Sequence, residues 1–348
     1  MATPSPLPPP PTVNLWVILS ESKRIINAHS RHFLALSLLF LLPISFSITV
    51  YPSISRLIIN QYSPSHTTIS LLRTLSPKDQ PPNSDDIDPT TILLLLIAYI
   101  VFVTVFNLLS IGSITYSIFQ GFYGRPVKLI SAVKSSFTSL FPLIATLTSA
   151  NSIVFAILLI LGLVAFLLTR VIVLIVPDLE VDYASTYFQA LSAVVTLIFI
   201  AIVIKLYVNW ILAWVIVVVE SSYGFTPLKR SKSLVNGMES VSLSMIVVFS
   251  IAQSCLVLIS NITAYDIEDG GKIWTNAVFV FQIVVTSALL TGLMLYNLAG
   301  TTVMYMYCKA FQGELAWEIA EEFAREYVSL PFDYDGKGPH VVSVAYNG

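Results

Sequence analysis

The sequence predicts an all-α fold: a polytopic membrane protein with six transmembrane helices and three amphipathic interfacial helices, built as three repeats of one interfacial helix plus one hairpin of spans. Three observations lead there. The 348-residue chain is 55% hydrophobic and only 11% charged, against about 25% charged residues in an ordinary soluble domain, and its mean hydropathy is +0.80. Several apolar runs exceed the ~20 residues that cross a bilayer as a helix. Finally, a basic stretch carrying Tyr223-Gly224 and Pro227 has a weaker copy earlier in the chain, where Tyr123-Gly124 precedes Pro126.

Taken in order, residues 1–13 read as a disordered, proline-rich, polyproline-like tail. Residues 14–30 read as an amphipathic helix, with Leu15, Ile18, Leu19, Ile25 and Ile26 on one face and Lys23, Arg24 and Asn27 opposite. His29 and His32 stand close in sequence, but no third ligand is near, so no metal site is expected. The first span is placed at 33–59 with a kink at Pro43, where a helix interior loses a hydrogen bond. A polar segment, 60–89, ends in Asp79, Asp85, Asp86 and Asp88 and leads to the second span, 90–119. The weaker basic copy then forms an interfacial helix over 126–139. Val127, Ile130, Val133 and Phe137 make its apolar face, with Lys128 outside that face and Lys134 at its edge.

The third and fourth spans, 142–176 and 185–219, are separated by a loop with Asp178, Glu180 and Asp182. The fifth and sixth, 241–262 and 274–307, flank Asp266, Glu268 and Asp269. Residues 311–327 read as an acidic amphipathic helix in which Leu315, Ile319, Phe323 and Tyr327 recur every four positions. Glu314, Glu318, Glu321, Glu322 and Glu326 lie largely elsewhere on it. The expected organisation is thus a tail (1–13), a membrane domain (14–307, with repeats 14–119, 120–219 and 220–307) and a cytosolic acidic helix and tail (308–348). Two spans per unit make the repeats parallel, unlike the inverted repeats of many transporters.

The stretch 220–237 carries the strongest local signal. Thr226 suits a helix cap and Pro227 its first turn, and Gly237 suits its end. Leu228, Ser231, Leu234, Val235 and Met238 share a face; Lys229, Arg230 and Lys232 point away. A basic amphipathic helix beside a span reads as interfacial, its charges among lipid head groups. Lys128, Lys229, Arg230 and Lys232 are therefore candidate head-group contacts, and Glu220 is expected to pair with Lys229, Arg230 or Arg125. Within the fourth span, Lys205 and Asn209 form a candidate intramembrane polar site, because a charge there is costly unless paired, hydrated or snorkelling. Asn107, Gln120, Asn209, Gln253, Gln282 and Asn297 read as hydrogen-bonding groups between helices.

Basic residues set the orientation. Lys23, Arg24, Arg31, Arg125, Lys128, Lys134, Lys229, Arg230 and Lys232 fall on one side; the other side holds mainly carboxylates with Arg56, Arg73, Lys78 and Lys272. The positive-inside rule places both termini in the cytosol, in an endomembrane (endoplasmic reticulum) or the plasma membrane. A net charge of −2 gives no hint of nucleic acid. Cys255 and Cys308 make no disulfide framework, and no cleavable signal peptide is expected. Asn261-Ile262-Thr263 is a glycosylation pattern, but it hugs the membrane end of a span, where little use is expected. There is no glycine-rich nucleotide loop, zinc spacing or Ser/His/Asp arrangement, so neither an enzyme nor a cofactor is expected.

The pattern Val-Val-Val-Glu-x-x-Tyr-Gly-x-x-Pro-Leu-Lys-Arg-Ser-x-x-Leu-Val-x-Gly over 217–237 resembles a plant family of uncharacterised six-span membrane proteins, sometimes labelled as binding a polyadenylate-binding protein. The resemblance covers most of the chain, including 22–31 and the region around Trp317. The Glu…Leu-Lys-Arg-Ser…Leu-Val…Gly core is also similar to the membrane domain fused to some bacterial glycerophosphodiester phosphodiesterases. It implies the six-span architecture; without a catalytic domain here, that activity does not transfer. Two functions are left open. One is a non-enzymatic membrane scaffold or accessory protein that grips the lipid bilayer and contacts a cytosolic partner through 311–327. The other is a transporter or channel for a small or lipidic solute, which needs a hydrated cavity among the central spans.

Overall fold

A computed structural model describes residues 13–62, 89–175, 186–266 and 277–315. The stretches expected to be the proline-rich tail, the three carboxylate loops (for the most part) and residues 316–327 of the expected acidic helix lie outside the described residues; that helix does not start at 311, because the last described long helix runs through Phe311 and a turn with Gly313 at φ +78° follows it. The described chain is helical, without strands. Its elements are α1 (Leu15–Ala28), α2 (Ser30–Leu36), a π-helical turn (Ser37–Leu41), α3 (Leu42–Tyr62), α4 (Pro89–Phe122) and α5 (Leu129–Ile175). They continue with α6 (Thr186–Trp210), α7 (Ala213–Val219), α8 (Phe225–Val235), α9 (Glu239–Asp266) and α10 (Ala277–Phe311). Among the described residues, six segments are long and apolar enough to cross a membrane: Ser30–Pro52, Leu93–Phe122, Leu129–Val171, Phe188–Val219, Glu239–Asn261 and Ala277–Phe311. The all-α, six-span class read from composition is the class observed.

The core sits at one end of the bundle. Ile18, Ile25 and Phe33 from the N-terminal helices meet Ile114 and Ile118 of α4, Ile216 of α7, Leu234 and Val235 of α8, and Val303, Met304 and Tyr305 of α10. The helices diverge in character away from this end. Phe155, Leu159, Leu163 and Phe166 of α5 and Leu197, Ile198 and Ile204 of α6 are exposed. Apolar faces of this extent need lipid rather than water around them.

Four expectations change. First, the interfacial helix at 126–139 and the third span are one 47-residue helix, α5, with Pro142 inside it. At 1.5 Å per residue it is about 70 Å long, more than twice a hydrocarbon core of about 30 Å. Ala132, Ser136, Ser139, Leu143, Thr146 and Ala150 form a buried stripe that runs straight through Pro142. Packing of its N-terminal half against α4 overrides the hydrogen bond the proline loses. The approach is close: a Cβ on Gly112 of α4 would lie 2.8 Å from the Ser136 Cα.

Second, the fourth span is interrupted between α6 and α7 at Ile211–Leu212. Third, the disturbance expected at Pro43 takes the form of the π-helical turn Ser37–Leu41, just before the proline, because the missing amide shifts hydrogen bonding in the preceding turn. Fourth, the apolar faces of α1 and α8 rest on protein. Ile18, Ile25 and Ile26 of α1, and Leu228, Ser231, Leu234, Val235 and the adjacent Met238 of α8, are all buried. The expected helical spacing is right; what covers those faces is the rest of the chain.

The two Tyr-Gly pairs share a left-handed glycine but use it differently. Gly124 has φ +69° and closes α4: its N–H donates to the Gly121 carbonyl (3.1 Å) and the Arg125 N–H to the Gln120 carbonyl (3.1 Å), the pairing of a Schellman cap. Gly224, at φ +74°, instead caps the start of α8, where Thr226 was expected to do so, and no side chain supplies a capping bond. Its N–H donates to Thr146 Oγ1 of α5 at 3.1 Å, which ties the basic stretch to that long helix.

Candidate functional site

The interruption of the fourth span is the centre of the candidate site. Residues 207–212 (Tyr-Val-Asn-Trp-Ile-Leu) contain neither glycine nor proline, so no local rule breaks the helix. The break is filled by Ser231 of α8, fully buried. Its hydroxyl donates to the Asn209 carbonyl at 2.6 Å and accepts the Leu212 N–H at 3.2 Å. Two backbone groups are thereby satisfied where a missing partner would be costly. The helix then resumes, with the Ile216 N–H on the Leu212 carbonyl at 3.0 Å.

α7 ends at Glu220, whose carboxylate joins three elements. It accepts the Tyr305 hydroxyl of α10 at 2.8 Å and lies 3.6 Å from Arg230 Nε of α8. Arg230 Nη2 also donates to Glu314. That hydrogen bond first, and then the nearby Glu220, Glu314 and Tyr305 charges, hold the guanidinium above its usual pKa against the opposing pull of burial. Lys309, itself buried, places its ammonium 5.4 Å from the Tyr305 ring centroid, within cation–π range. The Gln312 side chain donates to the Ser233 carbonyl at 2.8 Å. Of the three pairings expected for Glu220, the one with Arg230 forms.

The predicted site residues therefore separate. Arg230 belongs to an internal ion network, while Lys128, Lys229 and Lys232 are exposed. Asn209 is half-buried, and its backbone carbonyl meets Ser231. Lys205 is exposed on α6, one turn from the break.

Beside the break is a cavity of about 390 Å³, lined by α4, α5, the α6–α7 junction, α9 and α10. Asn107 and Thr115 of α4, Tyr207 and Trp214 from either side of the break, Gln253 of α9 and Asn297 of α10 supply polar atoms to it, as do the hydroxyl residues Thr104, Ser250 and Thr301. Lys205 does not line it; Tyr207 does. Among the described residues, none that lines it is charged. Asn107, Gln253 and Asn297 stand out singly in the sequence as polar groups in apolar runs, but their convergence depends on how three separate helices pack. Thr115 and Trp214 go unnoticed there, although Asn107, Ile111 and Thr115 recur at every fourth position along one face of α4.

A family model described as "Domain of unknown function (DUF8558)" matches residues 12–330. The chain belongs to this family. The DUF8558 domain takes in every described residue, so the basic stretch, the interrupted span and the cavity all lie within it. No curated protein and no solved structure matches the chain.

Proposed function

We propose that the protein is a non-enzymatic integral membrane scaffold or accessory protein whose basic end rests against anionic lipid and presents the C-terminal segment to a cytosolic partner. The observation that carries this reading is what the basic end leaves free. The apolar faces of α1 and α8 are already buried and Arg230 is paired, so Lys229 and Lys232 face outward with charge as their main chemistry, while at the start of α5 Lys128 and Lys134 stand beside the exposed Ile130 and Phe137. Each lysine near an anionic surface contributes about 1 kcal/mol, and salt screens it.

In this reading both termini are cytosolic, the membrane is an endomembrane or the plasma membrane, and the partner binds the acidic segment 311–327. The motif at 217–237 supports kinship with the plant six-span family and with the phosphodiesterase-linked membrane domain. The test is native mass spectrometry of full-length protein released from mixed vesicles. Anionic lipid should be retained over neutral lipid, and the excess should fall at least about twofold when Lys128, Lys229 and Lys232 are replaced by Ala. Equal retention of both lipids would overturn the reading.

A second reading, a carrier or channel for a small or lipidic solute, is favoured by the polar cavity. Solute flux in reconstituted vesicles that disappears with Asn297→Leu would select it.

A further inference from the structure

We propose that the cavity beside the interrupted fourth span is a binding site for an uncharged amphiphile with a hydrogen-bonding head, of the diacylglycerol or sterol kind, entering sideways from the bilayer. This holds whether the chain moves such a molecule or only retains it.

The cavity's polar groups are available for a ligand. Ser113 and Ser117 of α4 donate to the carbonyls of Leu109 and Ser113, four residues back. Thr115, on the same helix, does not. It is fully buried, it lines the cavity, and its hydroxyl has no partner. Nor do the side-chain amides of Asn107, Gln253 and Asn297 make hydrogen bonds among the described residues. A buried hydroxyl without a partner is rare, so Thr115 points to an occupant, to which the half-buried Gln253 and Asn297 and the exposed Asn107 can add hydrogen bonds. Three amides and a hydroxyl, from three helices, offer donors and acceptors to one volume.

The walls between them set the ligand's character. Leu108, Ile111, Phe249 and Leu298 are apolar, so part of the occupant is apolar too. No carboxylate, lysine, arginine or histidine lines the space among the described residues, so an ionic head would enter without a countercharge, which is costly at membrane depth. The volume of about 390 Å³ is at the small end of ligand sites; it accommodates a head group and the start of its chains.

Entry is lateral. Asn107, Tyr207 and Ser250 line the cavity and are also exposed. Their neighbours Phe102, Ile204 and Val247 are exposed apolar residues on the same three spans. The opening therefore faces the surface that lipid covers.

The experiment uses the full chain in phosphatidylcholine nanodiscs carrying one photoactivatable lipid at a time: a diacylglycerol, a sterol or a phosphatidylserine analogue. Cross-linked peptides are then mapped. At least one uncharged analogue should label the cavity stretches of α4, α9 and α10 and be displaced by its unlabelled form, and the diacylglycerol and sterol arms identify which. The phosphatidylserine analogue should label only outer faces such as that around Phe155 and Leu163.

Gln253→Leu and Asn297→Leu should each lower cavity labelling about fivefold, the loss of roughly one hydrogen bond, with outer-face labelling unchanged. Thr115→Val keeps the side-chain shape, so it tests the same point if the leucine variants fail to fold. Three results would each overturn the proposal: cavity labelling by the charged analogue as strong as by the uncharged ones; no enrichment over outer faces for any analogue, which would mean a water-filled space; or labelling insensitive to Thr115→Val.

Discussion

Ser231 shows how one hydroxyl can determine the course of a span. It touches the carbonyl before a helix break and the amide after it, and it is fully buried. Ser231→Ala should therefore destabilise the protein by about 1–3 kcal/mol, because the Asn209 carbonyl and Leu212 amide are left unpaired. Thermal unfolding in detergent checks this against Ser233→Ala, an exposed neighbour on the same helix, which should stay within about 0.5 kcal/mol of the parent. If the two variants melt together, the hydroxyl is not what holds the break. Spacing alone places Ser231 on the apolar face of α8, where a serine is out of character. The reason is invisible in sequence, since its partners are backbone atoms on another helix and backbone atoms carry no residue identity. Lys229 and Lys232 are legible from the same spacing, because exposure of a charged side chain follows from helix geometry alone.

At the scale of elements, composition and run length were enough for the six spans, since any helix in lipid must meet its own hydrogen bonds and be apolar for about 20 residues. The junctions were less legible. A proline reads as a stop, yet α5 passes through Pro142 because its buried stripe lies against α4. Close packing at Gly112 is part of that contact, and the glycines of these helices should respond differently to one added methyl. Gly112→Ala places a Cβ 2.8 Å from backbone, so it should cost about 1–3 kcal/mol through overpacking. Gly162→Ala, in the exposed half of α5, meets nothing within 4 Å among the described residues and should be neutral or stabilising by up to about 1 kcal/mol. Denaturant titration in one detergent measures both; equal effects would mean that α4 and α5 are not in close contact there.

The molecule as a whole is asymmetric. Its main core, its ion network and the exposed Lys23, Lys128, Lys229 and Lys232 gather at one end, while the long apolar halves of α5 and α6 are largely bare. A chain built this way has one end that holds together through its own contacts and another that depends on lipid. It also has a sidedness that charge should fix, because lysine and arginine are retained on the cytosolic side of short loops. Single cysteines at Lys23, Lys128 and Lys229, in a background with Cys255 and Cys308 replaced, should therefore react with an impermeant maleimide only after the plasma membrane is opened or when the cytosolic face of isolated vesicles is presented. A cysteine at Asp86, from the acidic segment between the first two spans, should react from the opposite side. Lys23 and Lys229 belong to helices packed on the same core, so they must label together whatever the orientation. Labelling of Asp86 from that same side would mean that the first hairpin does not cross the membrane as its length and composition require.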